Sequence, residues 1–205
     1  MGQRSQYILL TPKVFHNEGN LNNSKGKVYV AHNQLRYGEG AIYIMAHTLN
    51  KLKHLIDKIK DENKSESSYT HLKGRLNEKT QTALRYAENK DMNYEMSQSL
   101  DFEDLTEEFK KRDLNDFLIN CMDNNDGYFV IQVDDDLNIS FGFLTGLGNT
   151  DKIKTVSSEE YLKLFTKETE DLKEEFDILE QFKQIDGLKM LRNFKKKLNR
   201  KKVRA

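Results

Sequence analysis

Residues 124–146 read NNDGYFVIQVDDDLNISFGFLTG, the clearest β signal in the chain. Asn124 to Gly127 is turn chemistry, and Tyr128 to Val133 is a run of β-branched and aromatic residues. DDDLN is a loop, and Ile139 to Leu144 is a second such run. Two runs of this make-up around a short polar loop predict an antiparallel hairpin. A second hairpin is predicted near the start. QYILLTPKVFH reads as a strand, with Pro12 marking an edge or an end. NEGNLNNSKGK is its loop, and VYVAHNQLRY alternates and pairs back.

The period then changes. Met45, Leu49, Leu52, Ile56 and Ile59 recur at steps of four and three, which places them on one stripe of a helix. KDENKSESS, without an apolar residue, is a surface linker, and LKGRLNEKTQTALRYAENK a weaker helix. A firmer helix is expected after Asp101 as N-cap, burying Phe102, Leu105 and Phe109. A short one follows from Asp113 with Leu114, Phe117, Leu118 and Cys121. Ser157 and Glu160 have the spacing of a capping box. Behind them Leu162, Phe165, Thr169, Leu172, Phe176 and Leu179 keep a seven-residue beat, until Asp186-Gly187 interrupts. The expected fold is α+β: two antiparallel hairpins forming a small sheet packed with helices. Its parts are a core domain over 1–156, a long amphipathic helix over 157–187 and a basic C-terminal tail over 188–205.

Eleven Phe and nine Tyr among 205 residues supply the apolar area for a core, although charged residues make up 32%. Cys121 is the only cysteine, which excludes an internal disulfide and suits a reducing cytosol. Apolar runs such as AIYIMA fall far short of the roughly 18 residues of a membrane span. MGQRSQYILL has no apolar core of a secretory leader. A cytoplasmic protein without membrane contact is expected.

The formal net charge is zero, yet charge is divided. The last 17 residues, KMLRNFKKKLNRKKVRA, hold nine of the 33 bases and no acid. The 188 before them therefore carry 24 bases against 33 acids, a net of −9. The nine are Lys189, Arg192, Lys195, Lys196, Lys197, Arg200, Lys201, Lys202 and Arg204. If the segment is helical, Leu188, Leu191, Phe194 and Leu198 share one side and the cations crowd the other. Such a helix can neutralise several phosphates. The alternative is that it lies along the acidic ETEDLKEEFDILE just upstream and is neutralised internally.

Other motifs carry less. With Gly127 at the sixth position of a calcium loop, the first and twelfth fall on Met122 and Val133, which excludes an EF-hand. Asp134 to Asp136 then reads as a hydrated hairpin tip. His47 and His54 lie two helical turns apart, too far for one ion, and Cys121 sits on an apolar helix face. TGLGNT lacks the lysine of a P-loop and the third glycine of a dinucleotide fingerprint. No metal or cofactor is expected. HNQLRYGEG places His32, Arg36, Tyr37 and Glu39 at a strand-to-helix junction, a corner able to receive an anion.

GQRSQ (Gly2 to Gln6), RYGEG (Arg36 to Gly40) and NNDGY (Asn124 to Tyr128) resemble stretches of small uncharacterised phage and prophage proteins of Gram-positive bacteria. The resemblance spans about a quarter of the chain, lacks the tryptophans of that group, and implies a mobile-element origin without a catalytic residue. The function expected first is therefore a non-enzymatic phage or mobile-element protein that binds and modulates host machinery. Its partner is a host protein, met by Leu172, Phe176, Leu179 and the basic tail. Two alternatives stand beside it: a DNA- or RNA-binding regulator using the tail, and a small nucleotide-ligand binder or enzyme using the 32–40 corner.

Overall fold

The computed structural model describes residues 4–12, 26–34, 39–62, 103–120, 127–145, 153–165 and 172–200. Both predicted hairpins are present. Strands β1 (Arg4–Thr11) and β2 (Lys27–Gln34) pair antiparallel with Ile8 opposite Val30. Beside β2 lies the two-residue β3 (Glu103–Asp104). Strands β4 (Tyr128–Val133) and β5 (Ile139–Thr145) pair antiparallel with Val130 opposite Gly142. The far edge of β5 is shared by β6 (Lys154–Val156), antiparallel, and β7 (Lys183–Gln184), parallel.

The two hairpins are joined into one mixed seven-stranded sheet, ordered β3-β2-β1-β4-β5-β6, by a parallel pairing of β1 with β4. This corrects the picture of a sheet made only of antiparallel hairpins. The physical reason lies in the central strands. Tyr7 and Leu9 of β1 and Phe129 and Ile131 of β4 enter one core, while Ile8, Leu10, Tyr128 and Val130 enter another. Strands apolar on both faces need cover on both, and parallel neighbours at the centre of a three-layer fold provide it.

One helical layer holds α1 (Glu39–Glu62), which buries Met45, Leu49, Leu52 and Ile56 as its periodicity predicts. The opposite layer receives α2 (Thr106–Lys111) and α3 (Leu114–Asn120), through Phe109, Leu114, Phe117 and Leu118. The helix expected directly after Asp101 begins later, because Glu103–Asp104 is taken as a strand by β2. The Asp104 carboxylate then accepts from Thr106 N (3.0 Å) and Oγ1 (2.6 Å). Asp113 caps α3, accepting from Asn115 N at 2.8 Å.

The capping box forms as expected. Ser157 N donates to Glu160 Oε2 (2.8 Å) and Glu160 N to Ser157 Oγ (3.0 Å), opening α4 (Ser158–Phe165). Beyond it the expectation of one helix over 157–187 fails. Leu172 is the N-cap of a separate α5 (Lys173–Leu179), a turn follows at Glu180–Gln181, and Lys183–Gln184 is strand β7. Pairing with β5 overrides the heptad pattern, since Ile185 N finds a partner in Phe141 O at 2.8 Å. The tail over 188–205 is corrected too. Its described part is α6 (Gly187–Asn199), a helix built into the core opposite α1. Asp101, Phe102, Cys121, Thr169, the linker, the weaker helix and residues 146–150 of TGLGNT lie outside the described residues.

The backbone entering α6 crosses β5 at Gly142. A Cβ there would meet the Ile185 carbonyl and stand 3.0 Å from Gly187 N. Gly142→Ala is therefore expected to lower stability by about 1–3 kcal/mol, read as a reduced urea midpoint. An unchanged midpoint would mean that the crossing yields freely.

Candidate functional site

Helix α6 starts where Asp186 stops β7. The Asp186 carboxylate accepts from Lys189 N (2.9 Å), the N-cap bond, and from Thr155 Oγ1 of β6 (2.7 Å). Met190, Leu191, Phe194 and Leu198 then recur on one face and are buried against β4, β5, α2 and α3. The opposite face is forced outward.

The basic residues of the segment divide into two groups. Lys195 belongs to the fold. Its Nζ donates to the carbonyls of Phe109 and Lys110 (3.1 Å to the latter) and lies 5.0 Å from the centre of the Phe109 ring. Asn199 Nδ2 adds a bond to Lys110 O at 3.3 Å. These donors meet carbonyls at the C-terminus of α2 that the helix itself leaves unpaired. Burial pushes the Lys195 ammonium below its ordinary value, while Asp113 pulls it back. Lys197 pairs with Asp135 at 2.6 Å.

Lys189, Arg192 and Lys196, with Arg200 at the C-cap, form the second group. They lie three, four and four residues apart, a ridge of roughly 16 Å along the exposed face. All four are exposed, and among the described residues none of them makes an ion pair. No acidic residue occurs in α6. Lys201, Lys202 and Arg204 lie outside the described residues.

Whether this charge is cancelled by the acidic segment upstream is decided by the layers. The described part of ETEDLKEEFDILE is α5, and it packs beside α1 through Ile178 and Leu179. The sheet thus separates Glu174, Asp177 and Glu180 from α6, and packed layers lie on the order of 10 Å apart. Across two such spacings, charges are screened at physiological salt.

The remaining predicted residues are distributed as follows. Leu179 is buried, and Leu172 and Phe176 are half-buried against the core beneath α1. Of the face predicted for a partner, Leu179 is covered by the protein itself, while Leu172 and Phe176 keep part of their surface open. His32 lies on β2 opposite Gln6, and Glu39 opens α1, while Arg36 and Tyr37 lie outside the described residues. The side chains of the 32–40 corner therefore lie outside what the structure describes. The His47 ring lies 4.2 Å from that of Tyr43, tilted by 49°, and His54 is exposed. At the DDD loop the Asp134 carboxylate accepts from Asp136 N (2.9 Å), Asn138 N (2.8 Å) and Asn138 Nδ2 (3.1 Å). Both of its oxygens are engaged in the turn. Among the described residues no three His, Cys, Asp or Glu gather as metal ligands, and no helix is long and apolar enough to cross a membrane.

No protein-family model, curated protein or solved structure matches the chain.

The geometry makes two expectations. Lys195→Ala, which strips the Phe109 carbonyl of its donor and leaves Lys110 O to Asn199 alone, should cost about 1–2 kcal/mol in chemical denaturation. Lys196→Ala, one residue on, should stay within about 0.5 kcal/mol. The Asp186 carboxyl is held below its ordinary value first by the Thr155 hydroxyl and then by Lys189 N–H. A depressed carboxylate stabilises the fold above its unfolded value, near pH 4, and loses that contribution as pH falls through the folded value. Asp186→Asn retains a cap, so acid titration should show a shallower loss of stability below about pH 4 than in the unaltered protein.

Proposed function

We propose that this protein binds the phosphate backbone of a nucleic acid through the exposed face of α6. The observation that carries this reading is the ridge of Lys189, Arg192, Lys196 and Arg200. It is exposed, its one acidic neighbour on the helix is the Asp186 N-cap, whose charge reaches Arg192, and the buried opposite face holds it in place. A run of cations at helical spacing matches a polyanion, whose contacts position a protein without reading bases. The ridge carries no aromatic residue on which a base could stack, so little preference among sequences is expected. A protein partner is less well served. Among the described residues Ile119, on α3, is the only large hydrophobic side chain that is exposed, and interfaces between proteins draw most of their energy from such anchors. The mobile-element origin implied by the resemblance agrees with a nucleic-acid-bound regulator.

Fluorescence anisotropy with labelled mixed-sequence duplex DNA tests this. Four neutralised phosphates predict a slope of about −3.6 for log affinity against log salt, or roughly a hundredfold loss between about 50 and 200 mM. The variant combining Lys189→Gln, Arg192→Gln and Lys196→Gln should keep its unfolding midpoint while the slope shrinks by about 3. Absence of any complex at low salt, or a triple variant that binds like the parent, would refute the proposal.

A further inference from the structure

On the other side of the sheet from the cationic ridge, a cleft of about 430 Å³ opens between the start of α4, the end of α5 and β7. Its volume falls within the range of small-ligand sites. Phe141 and Leu179 are buried residues of the core beneath it, and Phe176 and Phe182 pack against that core from the cleft walls. The aromatic groups are therefore held in place by the fold. Two carboxylates from different helices join them: Glu159 in the first turn of α4 and Glu180 at the C-cap of α5.

The electrostatics of the cleft favour a cation. Glu159 and Glu180 are both exposed and, among the described residues, neither makes an ion pair. Glu160, the adjacent acid, is occupied by the capping box. Glu180 also stands at the negative end of α5, whose last turn holds no basic residue. A carboxylate there adds to the negative end of the helix dipole, where helices ordinarily place a lysine or arginine. The neighbouring Lys53 is directed to Gln181 Oε1, at 3.4 Å.

Aromatic faces beside carboxylates suit a guanidinium better than an ammonium. The planar group stacks on a ring while its five N–H donors reach acceptors in its own plane. We propose that this cleft receives an arginine side chain from a basic peptide segment of a partner protein. Phe176 and Phe182 flank the guanidinium, and Glu159 and Glu180 accept from it. Ser157 and Gln184 also line the cleft; the Ser157 hydroxyl, which accepts from Glu160 N, keeps its own hydrogen to donate to the peptide backbone. This site is independent of the α6 ridge, being on the opposite face.

The test is calorimetric titration of the full chain with a capped Gly-Arg-Gly peptide and with its citrulline counterpart, which keeps the shape and loses the charge. Saturable binding of the arginine peptide is expected, with the citrulline peptide at least about tenfold weaker. Glu159→Gln combined with Glu180→Gln should weaken the arginine peptide at least about fivefold and leave DNA binding unaltered. Equal binding of the two peptides, or no saturable binding of arginine peptide up to about 10 mM, overturns the assignment even if the double variant fails to fold. An unchanged affinity in a folded double variant overturns it too. Sedimentation identifies another occupant: self-association abolished by the double variant would place the cationic ridge of a second copy in the cleft, in place of a partner's peptide.

Discussion

The second face of the sheet is closed by a backbone crossing that only a residue without a side chain permits. At Gly142 the chain from Ile185 to Gly187 passes over β5 so closely that a single added carbon would meet main-chain atoms. Gly187 is crowded on its own side too, with the Leu144 side chain 2.9 Å from where its Cβ would lie. The contact lets α6 begin directly on the sheet, capped by Asp186 and tied to β6 through Thr155. Burial of Met190, Leu191, Phe194 and Leu198 follows from that entry point. The outward direction of the remaining helix face follows in turn. The proposed interface is thus a consequence of a packing constraint on a strand some 50 residues earlier in the chain.

The same three-layer arrangement keeps acidic α5 and basic α6 on different sides of the sheet. Acidic α5 and basic α6 are close in sequence, separated only by a turn and a two-residue strand. Because β7 inserts at the edge of β5, the chain passes from one side of the sheet to the other between them. Neutralisation along one long helix, which the sequence allows, is thereby prevented. The α6 ridge remains on one face, and Glu159 and Glu180 remain around an aromatic cleft on the other.

Local signals were read well from sequence where the determining contacts are local. The reciprocal bonds of Ser157 and Glu160, the cap at Asp113, the turn folded around Asp134 and the stripe of α1 all involve residues within a few positions of one another. Misreadings occurred where a distant strand competed for the backbone. Glu103–Asp104 is drawn into β2 and Lys183–Gln184 into β5, so a helix starts late in one case and is interrupted in the other. The seven-residue beat through Leu172, Phe176 and Leu179 was real as an apolar pattern. It reflected attachment to the core beside α1 rather than a free face.

For the candidate site, composition and order were enough to establish that a helix at 187–199 would have one apolar and one basic side, because a 3.6-residue period is a property of the chain itself. They could not establish which cations remain available. Lys195 and Lys196 are adjacent and chemically identical, yet one is bound to carbonyls of α2 and the other is exposed. The aromatic cleft left no trace in sequence, since Phe141, Glu159 and Phe182 converge from three separate elements. Propensity and periodicity are short-range, and they determine what each segment presents. Which of those surfaces meet, and which stay open to a partner, depends on long-range strand pairing and was decided only when the sheet assembled.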